Sequence, residues 1–249
     1  MTPKVSIIMP NFNSDKYLNK TIKSVLGQNF KDWELIIVDD KSNSKTIDIL
    51  KSFKSFKKIK IIFLKTKKGT AFCRNLALQK AKGSYIAFLD SDDIWEKRKL
   101  SLQYKFMKKN NYAFSYTNYK TFGNSEGLVY PPLKYDYYKF IHNTSIATST
   151  MMILKKYTHG VKFTNTVICE DYYFKCAVLK KTKYAYCLNK FLTNYRIRHG
   201  SMQSNALKNV LWIWKINRKF NNLNFLENFV SLFLISFNSI KKYSFKKIH

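Results

Sequence analysis

Two carboxylates separated by a single residue occur within residues 90–93, which read Asp-Ser-Asp-Asp. A pair spaced in this way can face one hard cation, because Mg²⁺ and Mn²⁺ prefer oxygen ligands and take the remaining ones from phosphate and water. A cation held there would neutralise a bound diphosphate. The alternative is that the acidic turn only caps a helix that begins near Ile94. A second acidic pair, Asp39 and Asp40, favours the metal site if both clusters lie at one edge of the fold.

The loop that would face such phosphates contains no glycine. Residues 10–15 read Pro-Asn-Phe-Asn-Ser-Asp, so neither the dinucleotide fingerprint GxGxxG nor the phosphate loop GxxxxGK[ST] is present there. A metal on carboxylates is the other standard way to neutralise a diphosphate. The same loop disfavours a metal-dependent nucleotidyltransferase, which normally has a glycine-rich, basic turn at this place. That class stays an alternative.

Short apolar runs and helical patterns alternate over the first hundred residues. The runs occupy residues 5–9, 35–38, 61–64 and 85–89. They are rich in β-branched or aromatic residues and predict buried parallel strands. Between them we expect a helix that ends at Gly27, one that contains Leu50, and one that is capped by Thr70 and ends at Gly83. This alternation predicts an α/β fold of Rossmann type, with a doubly wound, mostly parallel sheet.

In a doubly wound sheet the ligand binds beyond the carboxyl ends of the strands, near the point where strand order reverses. The polar residues at those ends therefore matter most. Asn11 and Asn13 follow the first strand, Asp39 and Asp40 follow the second, and residues 90–93 follow the fourth. We expect these side chains to lie at one edge of one sheet.

The second half of the chain has a different pattern. Alternating segments at residues 113–122 and 148–154 predict strands of a mixed extension of the sheet. A helix is expected to begin near Glu170, and a further strand is expected over residues 191–197. From about residue 204 onward the pattern predicts two helices.

The formal net charge is +30, from 45 basic and 15 acidic residues. Such a charge suggests a nucleic-acid partner, but the lysines are spread along the chain beside many Asn, Ile, Tyr and Phe residues, a set that an A- and T-rich genome favours. A nucleotide diphosphate or an acidic lipid surface fits as well. Charge alone therefore leaves open a basic module that binds RNA or anionic lipid without catalysis.

The cysteines and the apolar segments indicate the compartment. The four cysteines lack the paired CxxC spacing of a zinc site, and nothing suggests a secreted disulfide framework. The N-terminal segment has no long apolar region of the kind that signal peptides have. No uncharged stretch reaches the ~18 to 20 apolar residues that a membrane span needs. We therefore expect a cytoplasmic protein with reduced thiols.

Taken in order, these segments resemble the inverting family 2 glycosyltransferases, which have the GT-A fold. The resemblance runs through most of the chain and depends on the ordered set rather than on any one motif. The members nearest in character build capsules, lipopolysaccharide or teichuronic acid. The matching segments are residues 5–13 (VSIIMPNFN), 33–42 (WELIIVDDKS), 68–69 with 74–75, 88–93 (FLDSDD), 170–171 and 195–201 (YRIRHGS).

The resemblance implies a domain organisation and a reaction. Residues 1–203 would form a GT-A catalytic domain, with nucleotide binding in residues 1–110 and acceptor binding in residues 111–203. Residues 204–249 would form a helical appendage. The implied reaction transfers a sugar from a nucleotide-sugar donor to a cell-envelope glycan or a lipid-linked acceptor. The donor that we expect is a UDP-sugar. The reaction proceeds with inversion and with Mn²⁺ or Mg²⁺ as cofactor, and no nucleic acid is expected as a partner.

The nucleotide site follows from the same resemblance. Asp39 would accept a hydrogen bond from N3–H of uracil, the alternative being a residue that caps a helix. Arg74 would contact the base or the phosphates, the alternative being a solvated helix arginine. Asn11 and Phe12 stand where Thr and Tyr are more usual in the family, which affects how uracil stacks. The full set is Pro10, Asn11, Phe12, Asn13, Asp39, Lys68, Gly69, Arg74, Asp90 and Ser91.

The metal and the catalytic base are assigned in the same way. Asp92 would be the principal metal ligand, with Asp93 and His199 as further candidates. Asp171 would be the base that takes the proton of the acceptor hydroxyl, with Glu170 as the fallback. The alternative for these two acids is that they only complement the dipole of a helix that starts there.

A loop near residue 200 would close over the diphosphate. Arg196, His199 and Ser201 lie in it, and a guanidinium or imidazole there would add positive charge beside the leaving group. An ordinary surface loop is the alternative.

The last helical pattern has an apolar stripe with lysines after it at positions 241, 242, 246 and 247. Three interpretations stand: an interfacial helix that holds the enzyme near a lipid-linked acceptor, a helix whose stripe packs into the catalytic domain, or a dimer interface. The stripe consists of Leu223, Leu226, Phe229, Val230, Phe233, Phe237 and Ile240.

Overall fold

The computed structural model describes residues 2–166, 168–198 and 206–244. It contains ten strands and eight α-helices within those ranges. In chain order these are β1 Val5–Asn11, α1 Leu18–Leu26, β2 Trp33–Asp39, α2 Ser44–Ser52, β3 Ile59–Phe63, α3 Thr70–Lys80, β4 Tyr85–Phe88, β5 Ile94–Trp95, α4 Lys99–Asn110, β6 Phe114–Gly123, β7 Gly127–Val129, β8 Lys134–Tyr135, α5 Tyr137–His142, β9 Met152–Leu154, α6 Glu170–Thr182, β10 Ala185–Ile197, α7 Ala206–Ile216 and α8 Phe225–Ser244.

One mixed sheet contains every strand. Its order is β3-β2-β1-β4-β9-β6-β10-β5, with β7 beside β6 and β8 beside β10. The first four strands are parallel, whereas β9 runs antiparallel to both β4 and β6. The chain moves outward from β1 to β3 and then returns to place β4 on the other side of β1, so strand order reverses between β1 and β4. The expected α/β, doubly wound, mostly parallel sheet with a mixed extension is confirmed.

The sheet is buried on both faces because successive side chains of its central strands are apolar and point to opposite sides. Ile7 of β1 packs in one layer beneath α1 and α4, and Ile8 packs in the other layer against α3 and α6. Both side chains are fully buried. This double layer fixes the carboxyl edge of β1, β2 and β4, where the acidic residues lie.

Two helix boundaries differ from those expected. The helix α3 begins at Thr70 with Gly69 at its N-cap position, and it ends at Lys80 rather than at Gly83. A Cβ atom on Gly83 would lie 2.6 Å from the backbone nitrogen of Ser6, so glycine there permits close approach to β1 rather than ending the helix. Residues 148–150 form a short 3-10 turn before β9, where a continuous strand was expected.

The C-terminal part is helical, as expected. A π-helical turn, Asn217–Asn221, joins α7 to the segment before α8. The helix α8 packs against α5, and the π-helical turn packs against α6. Ile213, Ile216, Leu223 and Ile235 belong to the same apolar cluster as Tyr172 of α6. Among the described residues, no helix is both long enough and apolar enough to cross a membrane. The division at residue 203 stays a prediction.

Candidate active site

Asp39 lies at the carboxyl end of β2, directly across the parallel ladder from Asn11 of β1. Its carboxylate is buried, and one oxygen accepts hydrogen bonds from Asn11 Nδ2 at 2.7 Å and from Ser42 Oγ at 2.6 Å. The other oxygen accepts one from the backbone N–H of Ser42. Asp39 does not cap α2, because the N-cap residue of that helix is Asn43. Its carboxylate is therefore fixed in place, and Oδ2 has capacity for a further donor.

Asp40 holds the loop before α3 rather than facing solvent. Its two carboxylate oxygens accept hydrogen bonds from the backbone N–H groups of Lys68 and Gly69, at 2.6 and 2.8 Å. Gly69 has a φ of +89°, in the left-handed region that favours glycine. The backbone of Lys68 is thus anchored, whereas its side chain is exposed. Sequence reasoning placed Asp40 at this edge but assigned it no role.

Residues 90–93 do not cap a helix, since the two-residue strand β5 follows them and α4 begins only at Lys99. The helix-capping interpretation of this segment is therefore wrong. The three carboxylates have different hydrogen-bonding and ion-pair partners. Asp90 pairs with Arg74 at 2.6 Å, and Asp92 pairs with Arg198 at 2.8 Å.

Asp93 is the most deeply buried acid of this segment. It accepts hydrogen bonds from Ser149 Oγ at 2.5 Å and from the backbone N–H of Arg196 at 2.8 Å. Burial, together with the nearby charges of Asp92 and Asp90, raises the pKa of Asp93 well above its ordinary value. Burial also raises the pKa of Asp92, against the lowering effect of Arg198. Asp93 thus joins β10 and the 148–150 turn to the segment that presents Asp90 and Asp92.

Arg74 is almost completely buried and links the two halves of the site. Its Nη2 donates to Asp90 at 2.6 Å, and its Nη1 donates to Glu170 at 2.6 Å. The interpretation of Arg74 as a solvated helix arginine is therefore wrong. Its guanidinium holds the end of β4 against the start of α6, so that two carboxylates from distant parts of the chain face one cationic group.

Asp171 has a cationic partner of its own. Its Oδ2 accepts hydrogen bonds from Lys175 Nζ and from Thr148 Oγ1, both at 2.6 Å. Burial alone would raise the pKa of Asp171, but the charges of Lys175 and Arg74 outweigh it and hold this pKa well below its ordinary value. The neighbouring Glu170 has its pKa raised by burial, against the opposing effect of Arg74. Asp171 is therefore ionised at neutral pH.

The end of β10 forms the rim of the site. The guanidinium of Arg196 lies between the rings of Tyr17 and Phe122, at 4.2 and 4.1 Å from their centroids, and its Nε donates to the carbonyl of Asp92. Arg198 reaches the carboxylate of Asp92 instead. His199 and Ser201, the other expected members of the closing loop, lie outside the described residues.

An open cavity of about 360 Å³ adjoins this rim. Its lining comes from the loop after β1, the turn after β6 and the end of β10: Asn13, Asp15, Lys16, Tyr17, Asn124 and Arg198. Phe12 stands nearby on the same loop with about two fifths of its surface exposed, and Lys67 Nζ covers one face of its ring at 3.8 Å. Pro10 is buried within β1, and the carbonyl of Ser91 accepts a hydrogen bond from Thr21.

The donors present fit a divalent cation that shares its coordination with phosphate. No three His, Cys, Asp or Glu side chains converge in the described part of the chain. The nearby charge of Asp90 helps to raise the pKa of Asp92, and a cation beside Asp92 would relieve this repulsion. Oxygen ligands suit Mg²⁺ or Mn²⁺. Of the two acids in this segment that do not pair with Arg74, Asp92 has 14% of its side chain exposed, whereas Asp93 is buried.

Several residues of this site were not found from the sequence. Lys175 could have been, since it follows Asp171 by one helical turn, which places the two side chains together. Thr148, Ser149 and Arg198 carry no local signal, because their contacts cross 23 to 106 positions of chain.

The doubly wound sheet, which reverses between β1 and β4 and carries aspartates at its carboxyl edge, matches the GT-A fold of glycosyltransferases. The chain belongs to glycosyl transferase family 2, whose family model matches residues 6–184. TuaG of Bacillus subtilis, whose name assigns it to teichuronic acid biosynthesis, is 35% identical over 245 residues, which cover 96% of this chain and 97% of TuaG.

Two further proteins extend the comparison. WfgD of Escherichia coli, named as a UDP-Glc:alpha-D-GlcNAc-diphosphoundecaprenol beta-1,3-glucosyltransferase, is 36% identical over 215 residues, which cover 85% of this chain and 84% of WfgD. The solved structure of residues 1–349 of S. aureus TarS in complex with UDP-GlcNAc superposes with a TM-score of 0.75 at 21% identity, covering 98% of this chain and 73% of that one. This structural likeness concerns the fold alone.

Proposed function

We propose that this protein transfers a sugar, with inversion, from a UDP-sugar to a lipid-linked or other cell-envelope glycan acceptor, assisted by Mn²⁺ or Mg²⁺. The observation that carries the proposal is the double ion pair of Arg74 with Asp90 and Glu170. It joins the donor-side aspartates to the helix that carries the candidate base. The relatives named for UDP-glucose and for teichuronic acid support the same reaction class.

The uracil base is assigned to the edge formed by β1 and β2. Asp39 Oδ2, which accepts only the backbone N–H of Ser42 within the described structure, would accept N3–H of uracil. The exposed ring of Phe12 offers a surface on which the base could stack. Pro10, Asn11 and Asn13 shape this pocket, and Lys68 and Gly69 close its side through Asp40.

The diphosphate is assigned to the edge formed by residues 90–92. Asp92 would be the principal ligand of the cation and Asp90 would assist it, whereas Asp93 positions the segment through Ser149 and Arg196. When bound, the cation stabilises the negative charge that develops on the departing diphosphate. Arg198 is a further candidate for that charge, beside the predicted contributions of Arg196, His199 and Ser201.

The role of general base, which takes the proton of the acceptor hydroxyl, is assigned to Asp171. As the acceptor oxygen forms its bond to the anomeric carbon and the bond to the diphosphate breaks, Asp171 takes the hydroxyl proton. Its Oδ2 is held by Lys175 and Thr148, so the carboxylate has a fixed orientation. Glu170 is the fallback base, but its ion pair with Arg74 favours a positioning role.

The reaction is assigned to the cytoplasmic side of the membrane. All four cysteines are free and buried, in keeping with a reducing compartment. The acceptor, in this proposal, is presented from a lipid.

Calorimetric titration of UDP, with and without Mn²⁺, tests the proposal directly. We expect Mn²⁺ to strengthen UDP binding by the wild type, and we expect the Asp92→Asn variant to lose this enhancement. The matched control is Asp136→Asn, which exchanges one N-cap residue of α5 for another away from the site. UDP binding that does not depend on Mn²⁺ in the wild type would refute the metal assignment. Tight, steeply salt-dependent RNA binding without UDP affinity would instead favour the basic binding module.

A further inference from the structure

The helix α8 exposes large apolar side chains and buries polar ones, which is the reverse of an ordinary surface helix. Its apolar residues face solvent: Phe225, Leu226, Phe229, Phe233 and Phe237 each have 58 to 70% of their surface exposed. Asn228 and Ser231, on the opposite side, are fully buried. An amphipathic helix packed on a domain normally shows the opposite arrangement. The interpretation in which this stripe forms core is therefore wrong for all its described members except Leu223, which is buried.

Buried hydrogen bonds fix this orientation. Asn217 Nδ2 donates to Asn228 Oδ1 at 3.0 Å, and Ser231 Oγ donates to the carbonyl of Ile141 at 2.7 Å. Near the other end, Asn238 Nδ2 donates to the carbonyl of His142. Turning α8 to bury its phenylalanines would take these polar groups away from their hydrogen-bond partners. The buried hydrogen bonds thus fix the exposure of the phenylalanines.

The exposed face continues onto α7. Leu207 and Leu211 are 77% and 61% exposed, and Trp214 follows them on the same side of the helix. The ring of Trp214 contacts that of Phe225 at a centroid distance of 5.2 Å. We call the surface formed by Leu207, Leu211, Trp214 and the exposed apolar residues of α8 the apolar face. A contiguous apolar surface of this extent marks an interaction site.

Charge distinguishes between the occupants that could cover the apolar face. Over residues 206–244 the sequence has six basic residues, Lys208, Lys215, Arg218, Lys219, Lys241 and Lys242, and one acidic residue, Glu227. The whole chain has a net charge of +30. Two copies brought together through this surface would place like charges side by side, whereas an anionic bilayer would attract them.

We propose that the apolar face lies in the headgroup region of an anionic bilayer, with α7 and α8 parallel to its plane. Phenylalanine, leucine and tryptophan enter the boundary between headgroups and acyl chains, and the basic residues contact anionic lipid headgroups. The membrane is the partner. No second protein is required.

The position of the apolar face bears on the reaction, and this part of the inference rests on the proposed function. Tyr172 Oη donates to Asn217 Oδ1 at 2.8 Å, and Cys169 Sγ lies 3.9 Å from Asn209 Oδ1. Both contacts join α7 and its π-helical turn to the first turn of α6, which carries Asp171. Docking of α7 and α8 therefore sets the distance between the candidate base and the lipid surface.

Vesicle sedimentation tests the proposal with the full chain. The probes are vesicles of phosphatidylcholine alone and vesicles with about a third phosphatidylglycerol, whose surface attracts basic proteins. We expect the wild type to sediment with the anionic vesicles, and the Phe229→Gln/Phe233→Gln variant to bind them about tenfold more weakly or worse. The matched control is Leu133→Gln, which removes an equally exposed apolar side chain elsewhere and should bind like the wild type.

Three results of the vesicle experiment would overturn the proposal. They are a wild type that does not bind the anionic vesicles, a double variant that binds them as well as the wild type does, and equal binding of the wild type to neutral vesicles. A dimer of the wild type in sedimentation equilibrium that the double variant does not form would assign the apolar face to a second copy instead. Binding of UDP with Mn²⁺ is measured in parallel, so a failure of the proposed function is seen separately from a failure of docking.

Discussion

The guanidinium of Arg74 lies 2.6 Å from a carboxylate oxygen of Glu170, although 96 positions of chain separate the two residues. The same guanidinium binds Asp90 from its other side. Neither carboxylate is well exposed, so each depends on Arg74 for neutralisation. One buried guanidinium thus fixes the carboxyl edge of the sheet relative to the helix that carries the candidate base.

Removing that cation should destabilise the protein. The Arg74→Met variant leaves Asp90 and Glu170 without their partner, and we expect it to lower the free energy of unfolding by about 3 kcal/mol or more. The exposed ion pair of Lys51 with Asp48 provides the comparison, since Lys51→Met should cost about 0.5 kcal/mol or less. Urea denaturation measures both. Equal stability of Arg74→Met and the wild type would show that Arg74 does not link the two halves.

Lys175 should set the acid limb of the pH–rate profile. Its charge helps to hold the pKa of Asp171 low, so the base stays ionised and active as pH falls. In Lys175→Met this lowering is lost, the pKa of Asp171 rises, and the acid limb of kcat/KM should move to higher pH. Lys180→Met, on the exposed side of the same helix, should leave the limb in place. An unchanged profile in Lys175→Met would argue against Asp171 as the titrating base.

Substitutions of Asp171 and of Glu170 should differ in their effects on sugar transfer. We expect Asp171→Asn to bind UDP with Mn²⁺ as the wild type does and to lose transfer by about 10²-fold or more, because the proton acceptor is gone. Glu170→Gln keeps a hydrogen-bond acceptor for Arg74 and should lose less. Single-turnover transfer and calorimetry give the two quantities. If Glu170→Gln lost transfer and Asp171→Asn kept it, the two roles would be exchanged.

Asp39 should distinguish uracil from cytosine. Only a base with a proton on N3 can donate to its carboxylate, so Asp39→Asn should weaken UDP binding by about tenfold and change CDP binding much less. Asp32→Asn, at the amino end of β2 on the opposite edge of the sheet, is the control. A parallel loss of UDP and CDP affinity would indicate that Asp39 supports the fold and not base recognition.

The sequence predicts the fold because local and global signals agree over its first half. The four apolar runs are too short and too β-branched to form helices, and each becomes a parallel strand within two residues of its expected limits. The edge that gathers Asn11, Asp39 and Asp90 follows from that topology. The family resemblance then supplied roles that spacing alone could not.

Other features depend on contacts that no local pattern encodes. The apolar stripe near the C-terminus left three interpretations open, because its pattern does not say what covers it. In the structure Asn228 and Ser231 take the buried side of α8, since Asn217 and the end of α5 offer them partners. The ion pair of Arg198 with Asp92 likewise joins residues that lie far apart in the sequence. Such pairs require the assembled tertiary structure.

The helices α7 and α8 share one apolar cluster with α5 and α6, and Tyr172 stacks on Phe140 beneath them. A chain shortened at residue 205 would uncover that aromatic pair and take away the acceptor of the Tyr172 hydroxyl. We expect the piece that remained to be less stable than the full chain. Exchange of C-terminal helices between relatives would then succeed only where the underside of the new helices matches residues 137–142 and 170–182.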